Sequence, residues 1–127
     1  MFVYKQSTGE LFHDDDDTLA RVLIGKGYSG ALNYKNRGGF EVLPDKGPIP
    51  RGRWGILGPP VDTSTHGPYV LHLFPMVGTD TYGRSGFLIH GDSVRAPGTA
   101  SKGCIIMSHD VREQIWASGD TLLEVVS

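Results

Sequence analysis

The chain has 127 residues, 39% of them hydrophobic and 20% charged, a composition that predicts one globular domain and excludes an intrinsically disordered chain. Twelve Lys and Arg residues against 14 Asp and Glu residues give a net charge of −2, which argues against a nucleic-acid partner. The single cysteine excludes an internal disulfide and a cysteine-rich zinc site. Cys104 is therefore either a small buried residue or a reactive thiol.

Short apolar runs separated by turn residues begin the chain and predict strands. Residues 2–5 and 10–13 flank Ser7-Thr8-Gly9 and predict an opening hairpin. The four aspartates at 14–17 lack the alternating spacing of a calcium loop and predict a solvated turn. Residues 19–24 predict a third strand that stops at the following glycine.

The middle of the chain alternates an irregular segment with further strands. Residues 25–47 are rich in glycine and predict a loop that borders a site. The prolines of Gly47-Pro48-Ile49-Pro50 predict an extended lead-in to a strand that begins near Arg53. Residues 69–74 and 87–90 predict two more strands.

One segment near the C-terminus has a helical pattern. Ser108 is a good N-cap and Gly119 a good stop signal, which together predict a short helix at about 109–117. Residues 121–126 predict a closing strand. The expected fold is a mostly β sandwich or barrel of about eight short strands with one short helix, folded as a single domain over residues 1–127.

A cysteine and a histidine lie at the ends of two predicted strands. His90 ends the apolar run 87–90, and Cys104 opens the apolar run 105–107, so the two side chains meet at one sheet edge if the strands are neighbours. A thiol of ordinary pKa needs such a base to act as a nucleophile. The amides of Gly103 and Cys104 would then stabilise a developing oxyanion. The alternative is a structural cysteine packed beside a glycine.

The motif Ile89-His90-Gly91, followed by a loop and Ser101-Lys102-Gly103-Cys104-Ile105, resembles the signature of the L,D-transpeptidases, cysteine enzymes that act on peptidoglycan stem peptides. Residues 48–56 are similar to a strand of that family. With Gly27-Tyr28-Ser29-Gly30 and residues 86–92, nearly the whole chain resembles the small L,D-transpeptidase-like toxins delivered by type VI secretion. The resemblance implies an antibacterial effector with an L,D-transpeptidase-like catalytic domain.

The resemblance also implies roles for individual residues. Cys104 would be the nucleophile and His90 its general base, acting through a thioacyl intermediate to trim tetrapeptide stems or to exchange their terminal D-amino acid. Asp92 would orient His90 or hold a substrate ammonium, or be a structural turn residue. Lys102 stands where the family has His, and Ile106 where it often has Arg or Asn. The residues expected to contact substrate are Ser101, Lys102, Arg84, Tyr82 and His72.

Two other functions remain open at this stage. One is a metal-dependent hydrolase that uses His72, His90, Asp92 and Cys104, although their spacing fits no zinc motif. The other is a non-catalytic wall-binding module in which Cys104 only packs. No metal or cofactor is expected for the thiol mechanism.

The expected location follows from the N-terminus and the resemblance together. Residues 1–6 show no basic region followed by an apolar run, and no apolar stretch is long enough to span a membrane. We expect a protein made in the bacterial cytoplasm without a Sec-type signal, which acts in the periplasm of a target cell after secretion. The expected partners are peptidoglycan stem peptides, a secretion apparatus and a cognate immunity protein.

Overall fold

The computed structural model describes residues 1–127 and consists mainly of short β-strands with one α-helix. The mostly β prediction with one short helix is therefore confirmed. Short 3-10 turns at Leu32–Tyr34 and Gly38–Phe40 interrupt the longest irregular segment. In chain order the elements are β1 (Phe2–Lys5), β2 (Glu10–Asp14), β3 (Arg21–Lys26), β4 (Tyr28–Ser29), β5 (Gly52–Thr63), β6 (Gly67–Pro75), β7 (Leu88–His90), β8 (Ile105–Ile106), α1 (His109–Ala117) and β9 (Leu122–Val126).

All nine strands form one mixed sheet in the order β3-β2-β1-β9-β5-β6-β7-β8-β4. The β1/β9 and β7/β8 pairs are parallel, and the other pairs are antiparallel. The two outermost strands, β3 and β4, are separated in sequence only by Gly27, so the sheet must curl until its edges meet. Gly27 donates its N–H to Gly9 O at 2.8 Å, and a Cβ at this position would overlap Ile106 O. The expected sandwich or barrel is thus a single rolled sheet.

The core lies inside this rolled sheet and draws on both ends of the chain. Its 16 buried apolar residues run from Phe2 to Val125. Trp54 is fully buried at its centre, packs edge-on against Phe87 at 5.0 Å between ring centroids, and donates its indole N–H to Pro50 O. The helix α1 closes the core with its apolar face. Because β1 and β9 pair with each other, the chain termini share one core.

The sequence predictions of individual elements differ from the structure mainly where strands pair over long distances. The opening hairpin, the helix and the closing strand are confirmed. The third strand begins later than predicted and continues through Gly25 to Lys26, since both residues pair with β2. The segment 25–47 is not entirely a loop, because Tyr28 and Ser29 pair with β8. No local sequence pattern predicts a two-residue strand whose partner lies far along the chain.

The β7/β8 pair positions the predicted catalytic residues. These strands are parallel neighbours in the register Ile89↔Ile105 and His90↔Ile106. Continuing that register by one residue places Cys104 opposite Leu88. Leu88 and His90 are two residues apart, about 6.6 Å along the strand, and share one face of the sheet. The neighbouring strands that the sequence argument required are therefore present, and Cys104 lies diagonally across from His90.

Candidate active site

Cys104 and His90 line the same open groove, which has a volume of about 1190 Å³. Cys104 also lines a second, smaller cavity of about 360 Å³. Cys104, His66 and Lys102 line both cavities, so the thiol lies at their boundary. A substrate that reaches Cys104 therefore has space on both sides of the sulfur.

The hydrogen bonding of His90 determines which of its nitrogens is able to accept a proton. His90 is buried, and its Nδ1 lies 2.8 Å from Gly91 O. Because a carbonyl oxygen only accepts, Nδ1 carries the hydrogen and Nε2 keeps its lone pair. Burial lowers the pKa of His90 below its ordinary 6.5, and the nearby His66 and Arg112 lower it further. The imidazole is thus neutral and able to accept a proton at neutral pH.

Cys104 lies in a partly buried position among backbone groups of the preceding strand. Its Sγ lies 3.7 Å from Gly86 O, within hydrogen-bonding distance for a thiol, and the backbone N–H of Leu88 is directed at the sulfur. Burial raises the pKa of Cys104, while the Leu88 N–H and the positive charge of Arg84 oppose that rise. The resting thiol is therefore protonated at neutral pH and needs a base to become nucleophilic.

The turn that precedes Cys104 is held by Ser101. The Ser101 hydroxyl donates to Cys104 O at 2.7 Å and accepts the N–H groups of Gly30 at 2.9 Å and Gly103 at 3.1 Å. Since the Gly103 N–H is already used, it is not a free oxyanion donor, contrary to the sequence expectation. The Cys104 N–H has no acceptor within the molecule and is free. Gly103 instead supplies a backbone φ of +139°, a conformation that favours glycine.

Asp92 orders the loop beyond His90 and makes no hydrogen bond to the imidazole. Its carboxylate accepts the Tyr28 hydroxyl at 2.6 Å and the backbone N–H groups of Ser93 and Gly98. Burial raises the pKa of Asp92, but these hydrogen bonds outweigh that effect and leave the pKa below its ordinary value. Burial and the bond to Asp92 raise the pKa of Tyr28 to about 12. Tyr28 therefore remains a phenol and ties β4 to this loop.

Two buried arginines hold the site from opposite sides, and both donate to backbone carbonyls. Arg84 donates through both terminal nitrogens, whereas Arg112 donates through Nε and Nη1. Arg84 therefore has no terminal N–H pair left to grip a substrate carboxylate, which corrects the sequence expectation for this residue. The carbonyl acceptors are those of Glu41, Gly47, Pro48 and Lys102 for Arg84, and of Pro68, Tyr69, Met107 and Ser108 for Arg112.

The structure does not bring all the other predicted contact residues to the thiol. Lys102 is exposed at the boundary of the two cavities, where its ammonium is free to meet a substrate. Tyr82 is exposed in a turn and lines neither cavity. His72 is exposed on β6 opposite Leu88, on the same face of the sheet as His90, but it also lines neither cavity. Tyr82 and His72 are thus separate from the groove.

His66 is a site residue that sequence reasoning missed. Its ring packs against that of His90, with 4.7 Å between centroids, and it lines both cavities. His66 lies in the turn between β5 and β6, in a polar stretch that carries no catalytic pattern. The β6/β7 pairing brings this turn to His90, so no local sequence signal could have identified it.

Comparison with known proteins adds a family to this geometry. A family model, the Tlde1 domain, matches residues 24–122. The chain belongs to the Tlde1 domain family. This is a family of type VI secretion effectors, and the matched range contains both His90 and Cys104. Searches of curated proteins and of solved structures found no match to the chain.

Family membership supports the expectation of an antibacterial effector delivered by type VI secretion. It also fits a secretion apparatus and an immunity protein as partners. No helix of the chain is long and apolar enough to cross a membrane. The matched range begins in β3, so the β1/β2 hairpin lies before it, although it contributes to the same core.

The structure gives no grouping of metal ligands around the thiol. His72, His90, Asp92 and Cys104 do not bring their ligand atoms together. The one cluster with suitable spacing is formed by the exposed side chains of His109, Asp110 and Glu113 on α1. The alternative of a metal-dependent hydrolase at His90 therefore has no geometric support.

Proposed function

We propose that the chain is a cysteine-dependent peptidoglycan-modifying effector, with residues 1–127 forming one L,D-transpeptidase-like catalytic domain. One observation carries the proposal. His90 and Cys104 line a common groove, and the bond from His90 Nδ1 to Gly91 O leaves Nε2 free to take the thiol proton. Membership of an effector family supports a toxic activity and a bacterial substrate.

The proposed reaction begins with a neutral pair. His90 Nε2 accepts the proton of the Cys104 thiol while the sulfur attacks the carbonyl that precedes the terminal D-alanine of a tetrapeptide stem. The free Cys104 N–H donates to the oxyanion that forms. The carbon–nitrogen bond then breaks, and His90 returns its proton to the leaving amine of D-alanine. The product of this half-reaction is a thioester between the stem and Cys104.

The acceptor decides the final product. If water attacks the thioester, it passes a proton through His90 to the sulfur and the stem leaves shortened by one residue. If the amine of a free D-amino acid attacks, the carbon–sulfur bond breaks as the new amide forms. The amine proton passes through His90 to the sulfur, and the terminal residue is exchanged. Space on both sides of the thiol allows an acceptor to approach beside the bound stem. Such a reaction would damage the wall in the periplasm of the target cell.

The decisive experiment compares the wild type with Cys104→Ala and His90→Ala on purified tetrapeptide muropeptides, read by mass spectrometry. We expect the wild type to remove one alanine from each stem, or to replace it when D-methionine is added, and we expect both variants to be inactive. Activity retained in Cys104→Ala would overturn the proposal. A matched Ser7→Ala variant, with an exposed hydroxyl far from the groove, should behave as the wild type.

The two alternative functions give different results in the same experiment. A metal-dependent hydrolase would lose activity with EDTA and regain it when a divalent cation is restored. A wall-binding module would leave the stem masses unchanged while both the wild type and Cys104→Ala sediment with purified sacculi. The thiol mechanism predicts turnover that is insensitive to EDTA.

A further inference from the structure

Arg84 is an unusual buried cation. Arg84 is 9% exposed, and no carboxylate pairs directly with its guanidinium. The negative charges that act on it from a greater distance are those of Asp45, Cys104 and Glu41. Four backbone carbonyls solvate it instead. A buried charge normally has a partner of opposite sign, because removal from water is costly. Carbonyl dipoles lessen that cost but leave the net positive charge in place.

The hydrogen bonds of Arg84 reach the loop that carries the nucleophile. Nη2 donates to Gly47 O at 2.8 Å and to Lys102 O at 3.3 Å, while Nη1 donates to Pro48 O at 2.9 Å. The guanidinium also lies so close to Gly103 that a Cβ there would overlap Nη2. Arg84 thus joins the 41–48 segment to the turn immediately before Cys104.

The segment from Arg84 to the start of β7 lies beside the thiol. Gly86 O accepts from Sγ, and Leu88 directs its backbone N–H at the sulfur. Arg84 and Cys104 also line the same small cavity. One continuous stretch of chain therefore presents an acceptor to the thiol, a donor to the thiolate, and a fixed positive charge close to both.

We propose that Arg84 is the internal counter-ion of the Cys104 thiolate and the positioning residue of its turn. The proposal rests on the proposed function, because it concerns the sulfur after His90 has taken its proton. The fixed charge would stabilise the negative sulfur without any movement of the protein, and the bond to Lys102 O would keep the turn in place. Arg84 acts through Cys104 and does not touch the substrate.

Several other charges face the same sulfur and must stay constant in any test. Burial raises the pKa of Cys104, and Arg84 opposes that effect. Arg53 is the control for the loss of one positive charge, because it is exposed, pairs with Glu124 at 3.5 Å and lines neither cavity. The charged or titratable groups that line the two cavities with Cys104 are Lys26, Tyr28, Asp45, His66, Arg84, His90, Asp92, Lys102, His109 and Arg112.

The test measures alkylation of Cys104 by iodoacetamide as a function of pH, read by intact mass. The chain has one cysteine, so every modification reports on the site. We expect Arg84→Met to move the alkylation midpoint upward by about one pH unit, which is about tenfold slower modification near pH 7. Arg53→Met should leave the midpoint where the wild type has it, because this exposed charge lines neither cavity. Circular dichroism checks that each variant is folded.

The Arg84→Lys variant separates the effect of the positive charge from that of the hydrogen bonds that hold the turn before Cys104. Lysine keeps the positive charge but cannot form four hydrogen bonds in one plane. We expect a midpoint within a few tenths of a pH unit of wild type but about tenfold lower turnover of muropeptides, since the turn before Cys104 loosens. If Arg84→Met fails to fold, Arg84→Gln replaces it in the alkylation test, because glutamine removes the charge but keeps an NH₂ donor. A wild-type midpoint in folded Arg84→Met, or wild-type turnover in Arg84→Lys, would overturn the proposal.

Alkylation needs no enzymatic turnover, so the two proposals can fail separately. If the wild type does not process muropeptides but the alkylation midpoint still depends on Arg84, the proposed function is wrong and the proposal that Arg84 is the counter-ion is retained. In that case the alkylation midpoint is the only test of Arg84 as the counter-ion. If turnover requires Cys104 but the alkylation midpoint is the same in Arg84→Met as in wild type, only the proposal about Arg84 is wrong.

Discussion

The two ends of the rolled sheet are held together in different ways. At one end, β3, β2, β1 and β9 contain four to six residues each and form ladders whose one irregularity is a register shift in the β2/β3 pair between Leu11 and Phe12. At the other end, β7, β8 and β4 contain three, two and two residues. We call these regions the ladder end and the site end.

Side chains replace the missing ladder bonds at the site end. Ser29, Ser101 and Asp92 each bond two or more backbone groups, and the buried Arg84 and Arg112 each bond four carbonyls. Backbone ladders tolerate many side chains, whereas a polar clamp depends on one residue type. Mutations at the ladder end should therefore cost stability, and mutations at the site end should mainly cost activity.

The largest effect on stability is expected from Leu123→Ala in β9. Leu123 is fully buried at the centre of the ladder end. Removing its side chain should lower the free energy of unfolding by about 2–5 kcal/mol through lost burial and a residual cavity. Urea unfolding gives the value. Molecules that remain folded should process muropeptides at the wild-type rate, and a specific loss of turnover would break the comparison.

A smaller loss of stability with a larger loss of activity is expected from Ser29→Ala. The buried Ser29 hydroxyl donates to Gly103 O at 2.9 Å and accepts the Ile49 N–H at 2.8 Å. Its removal leaves two buried backbone groups without partners, at a cost of about 1–3 kcal/mol. Because Gly103 adjoins the nucleophile, turnover by the folded fraction should also fall. Ser7→Ala, which removes one exposed hydroxyl, is the control and should change neither quantity.

The pH profile tests whether burial at the site end tunes His90. The imidazole must be neutral to accept the thiol proton, and burial lowers its pKa below 6.5. The acid limb of kcat/KM should therefore lie below the ordinary histidine pKa, so that activity persists as pH falls through 6.5. Below the lowered pKa, each further pH unit should reduce the rate about tenfold. An acid limb at or above 6.5 would contradict this assignment.

The smallest effect is expected from His66→Phe. Phenylalanine preserves the ring contact with His90 but removes a group whose positive charge lowers the His90 pKa. The acid limb should move upward by a few tenths of a pH unit, with a plateau rate within about threefold of wild type. His66→Ala, which also removes the ring, should lower the plateau further. Equal plateau rates in the two variants would show that the ring contact is unimportant.

Short-range patterns in the sequence determined much of this protein. Alternating apolar residues and turn signals are enough to predict the opening hairpin, the helix and the closing strand, because these depend on neighbours along the chain. The proximity of the histidine and the cysteine was also predictable, because one ends an apolar run and the other begins the next. The motif around them resembles that of the effector family to which the chain belongs.

Only the tertiary structure decided how the site is held and what surrounds it. His66 reaches His90 because β6 pairs with β7, and Tyr28 belongs to a strand because β8 lies beside it. The sequence predicts that Arg84 is free to bind a substrate carboxylate, whereas in the fold its guanidinium donates hydrogen bonds to four backbone carbonyls. These outcomes depend on contacts between residues far apart in the chain. The sequence therefore predicts the reacting pair, and the rolled sheet determines the groups that control it.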